Sequence, residues 1–113
     1  MKKTLLTMTV MTAFAAGNTF AECQQPADVE LPDGATATTE QMIAGQKSVK
    51  AYLADGEAYL GCMEELAKNQ GDDVTEEQKK ADLDLYNGVV DKMQKLGENF
   101  NAQIKAYKAA QAK

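Results

Sequence analysis

Histidine, arginine and tryptophan are all absent from this 113-residue chain. Without histidine it lacks the commonest general base and metal ligand. Without arginine it lacks the planar fork that grips phosphate or carboxylate at two points. All 12 basic residues are lysines, and 17 acids bring the net charge to -5. That sign argues against nucleic acid and anionic lipid as main partners. Proline and cysteine occur only twice each. The length allows one domain at most. What remains is a small acidic protein with little catalytic equipment, read here as a non-enzyme without a cofactor.

The N-terminus has the layout of a secretory signal peptide spanning residues 1–21. Met1-Lys2-Lys3 is a short cationic start, and Thr4 to Ala16 is mostly apolar or small. Thr19-Phe20-Ala21 then places small residues at the -3 and -1 positions of a cleavage site, with Ala13-Phe14-Ala15 as a second choice. The apolar run is too short and interrupted for a stable membrane-spanning helix. Glu22 stands before Cys23, where a lipoprotein signal needs a small residue. Cleavage after Ala21 removes Lys2 and Lys3, so ten lysines face 17 acids at net -7. With no other long hydrophobic run, the mature chain is expected to be exported, to a bacterial periplasm or beyond, with no transmembrane segment.

Residues 22–38 hold both prolines and read as an extended tail. Pro32 and Gly34 fit the second and fourth positions of a type I turn over Leu31-Pro32-Asp33-Gly34. Thr38 with Gln41, and Thr75 with Gln78, have capping-box spacing, and acids follow in each first turn. Between them runs a stripe in steps of three and four: Met42, Gly45, Val49, Tyr52, Gly56, Tyr59, Met63 and Leu66. Leu53 and Leu60 widen it on one flank. The stripe stops at Asn69-Gln70-Gly71, and Gly71 to Val74 form a short connector. A second stripe holds Tyr86, Val89, Met93, Leu96, Phe100, Ile104 and Tyr107, with Leu83 and Val90 alongside. These patterns predict an all-α fold: helices over roughly 39–69 and 76–111, forming a long antiparallel hairpin over residues 39–113. Gly45 and Gly56 are costly inside a helix. Either they are tolerated, or another backbone or ring comes close, with Phe100 and Tyr86 as candidates to fill the gaps. Methionines at this spacing read as core.

Two cysteines in an exported chain suggest one disulfide. From Thr39 to Cys62 a helix rises about 35 Å. The stretch from Cys23 to Thr39 can reach about 50 Å. The tail can therefore run back along helix 1 and clip Cys23 to Cys62, laying Val29 and Leu31 over the hairpin groove. The rival readings are a redox-active pair and an intermolecular or metal-bound thiol. The spacing is far from Cys-x-x-Cys, and Glu64 and Glu65 beside Cys62 would raise a thiol pKa.

Cys23, Leu31-Pro32-Asp33-Gly34-Ala35-Thr36-Ala37, Met42, Gln46-Lys47, Val49-Lys50-Ala51-Tyr52 and Tyr59-Leu60-x-Cys62 together resemble a group of small exported proteins of Gram-negative bacteria. The likeness covers about the first half of the mature chain; the second half matches only as a generic long helix. It implies export and the helical layout. It brings no activity or site, because the group is uncharacterised.

Asp72, Asp73, Glu76 and Glu77 cluster at the connector and are the metal candidates. Their spacing does not supply an EF-hand loop, and the dipole at the start of helix 2 already accounts for acids there. Charge is uneven along the hairpin. Acids gather toward the loop end; Lys47, Lys50, Lys105, Lys108 and Lys113 gather toward the open end; no acid follows Glu98. This pattern fits either dipole complementarity or a polarised binding surface. The functional expectation is a non-catalytic exported hairpin acting through protein contacts. The alternative is a module binding a divalent cation or envelope ligand at the acidic end. Leu53, Leu60, Leu83 and Val90 extend the apolar band beyond one partner's width, which predicts a twofold dimer. The charge of -7 and the polar tips of the tyrosines argue for a monomer.

Overall fold

A computed structural model describes residues 23–113, so the expected export signal at 1–21 lies outside the described residues. Two helices follow the extended tail: α1, Thr39–Gln70, and α2, Glu76–Gln111. No strand occurs among the described residues, and the fold is the expected all-α antiparallel hairpin. The helices are about 48 and 54 Å long at 1.5 Å per residue. Among the described residues, neither is long and apolar enough to cross a membrane.

Local chemistry sets the ends. The Thr38 hydroxyl accepts from the Gln41 N–H at 3.1 Å, and the Gln41 side chain accepts from the Thr38 N–H at 2.9 Å. That closes the capping box and satisfies two amides that would otherwise lack helical partners. At α2 only half of the expected box forms. Thr75 caps the Gln78 N–H at 3.1 Å, but the Gln78 amide turns away and donates to Asp82 at 2.9 Å. An acceptor one turn along competes with the backbone for that side chain. α1 ends at Gly71, whose φ of 57° lies in the left-handed region that favours glycine.

The α1 stripe is buried in the expected register: Met42, Gly45, Val49, Tyr52, Gly56, Tyr59 and Met63. In α2 only Val89 and Phe100 are fully buried, and the other stripe residues are half-buried. The core divides into two clusters. At the open end Met42, Val49 and Phe100 pack with Leu31, Ala37, Leu53, Leu96, Ile104 and Tyr107. At the loop end Tyr59, Met63 and Val89 pack with Cys23, Leu60, Leu66, Tyr86 and Met93.

The tail forms the third layer. Cys23 is bonded to Cys62 with a Cα–Cα distance of 5.7 Å, which fixes the intrachain pairing and leaves no free cysteine among the described residues. The turn sits two residues later than expected. Asp33, not Leu31, opens it: its carbonyl accepts from Thr36 and Ala37 at 3.1 and 2.8 Å, and its carboxylate accepts from the Ala35 N–H at 3.0 Å. Aspartate favours this first position because its side chain binds the amide two residues on. Pro32 is thereby freed to pack on Gly45, where an added Cβ would lie 2.9 Å from its ring. Phe100 shares that gap as expected; Gly56, however, is filled by Met93 rather than Tyr86.

Candidate interaction face

The tail divides the hairpin into a covered and an uncovered face. Pro26 and Ala27 lie by Ala58, Tyr59 and Cys62. Asp28 and Val29 lie by Tyr52, Lys92, Leu96 and Asn99. Gly34 donates its N–H to the Gln103 side chain at 2.8 Å. An added Cβ on Gly34 would sit 1.9 Å from the Gln103 carbonyl oxygen, so the tail backbone presses directly onto α2. Burial raises the pKa of the Tyr52 phenol, and the Asp28 charge adds to it.

Among the described residues, nothing covers the opposite face in this way. Ile43, Leu53 and Leu60 of α1 and Leu83, Val90 and Ile104 of α2 fall on it by helical spacing. Ile43 is 48% exposed and Leu83 is 57% exposed. Each end holds an apolar hollow. The loop-end hollow, about 410 Å³, is lined by Met63, Ala67, Val74, Leu83 and Tyr86, with Glu64, Lys79 and Asp82 at its polar positions. The open-end hollow, about 280 Å³, is lined by Met42, Ile43, Phe100, Ile104 and Tyr107. Two polar clasps cross between the helices. Tyr86 donates to Glu64 at 2.9 Å, a bond that raises the Tyr86 pKa, with burial and the carboxylate charge adding. Thr39 and Tyr107 hydroxyls bond at the open end.

The expected flank residues Leu53, Leu60, Leu83 and Val90 all belong to this face, and its loop-end hollow includes Leu83. Ile43 was missed. It follows Met42, outside the stripe, but steps of three and four through Gln46, Lys50, Leu53, Glu57 and Leu60 place it on the same flank. Polar residues interrupt that pattern and hide it. Leu85, 47% exposed, is a second missed residue, on the other flank of α2.

Asp72 and Asp73 lie in the connector, with Glu76 and Glu77 in the first turn of α2. The Glu76 carboxylate takes the Lys79 ammonium at 3.4 Å. Among the described residues, no group of three or more cysteine, aspartate or glutamate side chains is placed to hold a metal ion. No family model, curated protein or solved structure matches this chain.

Proposed function

We propose that this chain is an exported, non-catalytic helical hairpin that acts through protein contacts made by its uncovered face. One observation carries this reading. The tail seals one side of the hairpin, while the other side presents apolar side chains from end to end, with Ile43 and Leu83 about half exposed. Two stripes wider than a coiled-coil seam require a partner on both sides to be fully covered. The residue set supports a binding role over a catalytic one, since the chain has no histidine or arginine and its cysteines are joined. The disulfide and the leader-like start support an oxidising compartment outside the cytoplasm.

Site-specific photocrosslinking in cells tests the contact. A probe at Ile43 or Leu83 is expected to capture protein, whereas one at exposed Glu98, on the side of α2 opposite Val89 and Phe100 by helical spacing, captures little. Equal capture at all three positions, or capture at none, would reject the uncovered face as the contact surface. Fusing residues 1–22 to an enzyme active only after export tests the compartment: activity is expected, and its absence rejects export.

A further inference from the structure

We infer that the uncovered face receives the same face of a second copy running in the opposite direction, giving a twofold antiparallel four-helix bundle. This names the partner of the face proposed above and rests on that reading.

The face is matched to itself end for end. Met93 fills the gap at Gly56 near the middle of both helices, and that level is a natural reference. Ile104 lies about 16 Å from it toward the open end, and Leu83 about 15 Å toward the loop end. Reversing a second copy about this level therefore sets Leu83 against the second copy's Ile104, twice. On α1 the same operation brings Leu53 opposite the second copy's Leu60. Ile43, at about 20 Å, arrives beside the second copy's loop-end hollow, whose Ala67 lies at about 16 Å.

One charge pair along α1 fits this direction. Lys50, Glu57 and Glu64 lie seven residues apart on the exposed edge of α1. Reversal around Glu57 puts Lys50 opposite the second copy's Glu64. These two cannot meet within one chain, being about 21 Å apart along the helix. Glu57 falls at the axis and meets its own counterpart, a local cost. On α2, Lys79 comes level with the second copy's Lys108, but Glu76 already holds it at 3.4 Å. The general repulsion of net -7 is screened over about 8 Å at physiological salt.

The area suffices. Two helices spaced 8–10 Å apart and about 48 Å long offer a face of roughly 800 Å² per copy, the size typical of a stable interface.

Light scattering on the chain lacking residues 1–21, from micromolar to millimolar, is expected to show a concentration-dependent dimer. Lys50→Glu is expected to weaken it at least tenfold. Adding Glu64→Lys should restore it to within threefold, and Glu57→Gln should strengthen it. A dimer indifferent to all three substitutions would overturn the antiparallel arrangement. A monomer throughout would overturn self-association altogether. In that case, capture of a different protein from Leu83 but not Glu98 would leave the contact reading standing, and capture from neither would remove both.

Discussion

The two ends of the hairpin are held by different means. At the open end, three layers meet through tight backbone packing. Gly34 lies against the α2 backbone at Gln103, Pro32 against Gly45, and Leu31 and Ala37 join the core around Phe100. At the loop end a covalent bond does the joining: Cys23 is tied to Cys62, and the tail contributes only Cys23 to the packed cluster. Met93, a flexible side chain packed against the loop-end cluster, fills the gap at Gly56 near the middle of the hairpin, where a rigid proline ring fills the one at Gly45 toward the open end. The comparison teaches that one tail uses shape where Pro32 and Gly34 press onto the helices. It uses a crosslink where it has neither the apolar mass nor the close approach. Each anchor can be broken separately.

The largest expected effect comes from the crosslink. The 39-residue separation of Cys23 and Cys62 corresponds to about 4 kcal/mol in the chain-entropy model. Replacing both cysteines by serine is expected to lower stability toward that amount in denaturant unfolding. Because the turn is anchored independently, hydrogen exchange should rise across residues 24–30 and much less across 31–37. Equal loss across both segments would show that the open-end packing depends on the disulfide. Next is Gly34→Ala. The new Cβ would meet a backbone carbonyl rather than a movable side chain, so the tail must lift. Overpacking of this kind costs about 3 kcal/mol, and exchange should rise in residues 31–37 and near Gln103 while Cys23 stays bonded. A loss under about 1 kcal/mol would mean the contact yields more easily than a backbone clash allows.

These two anchors differ in how far sequence alone revealed them. The cysteine pairing was legible because reach and rise could be compared on paper. The helices were legible because caps, a stop glycine and steps of three and four agreed. Gly34 was legible only as a turn residue. Its pressure on Gln103 joins positions far apart in sequence, and no local pattern encodes that contact. The same limit explains Gly56: the stripe marked a close approach, yet Met93 and Tyr86 both lie on the facing stripe. Side-chain length and direction decided between them. Of the candidate face, Leu53, Leu60, Leu83 and Val90 were readable as flanks. Ile43 was not, because its flank carries Gln46, Lys50 and Glu57 between the apolar positions. Which side the tail covers was also hidden, since Val29 and Leu31 carry no sign of left or right.

Gly45→Ala sharpens the contrast at intermediate size. An added Cβ would lie 2.9 Å from the Pro32 ring and 3.3 Å from Phe100. Neither ring folds away as a chain can, so a net loss of about 1 kcal/mol is expected after the gain in helix propensity; a gain would show that the tail shifts freely. A smaller effect should appear in alkali. The pKa values of Tyr52 and Tyr86 are both raised from the ordinary 10.0. A raised phenol contributes stability that is fully present below pH 10 and lost as pH climbs through the folded value. Unfolding free energy should therefore be insensitive to these groups from pH 7 to 9 and decline above about pH 10. Tyr86→Phe should remove the part due to the Glu64 bond. An unchanged alkaline decline in both Tyr86→Phe and Tyr52→Phe would assign it elsewhere.

Gly56→Ala is expected to do least, and its sign is the sharper test. A Cβ there would lie 2.6 Å from the Met93 sulfur, a spacing no real pair keeps, so something must move. What must move is the middle of a flexible thioether chain, and Met93 is only half-buried in the single chain, so in the monomer, at micromolar concentration, it has room on the uncovered side. Repacking a methionine costs little where three rotatable bonds can share the change. Against that cost stands about 1 kcal/mol of helix propensity gained when alanine replaces an interior glycine. The two nearly cancel, so the unfolding free energy from denaturant titration should stay within about 0.5 kcal/mol of the parent. Gly45→Ala, the same chemical change one core cluster away, should differ from it because proline and phenylalanine cannot yield in that way. Equal losses at Gly45 and Gly56 would show that backbone spacing between the elements, not the stiffness of the facing side chain, sets the need for glycine at both positions.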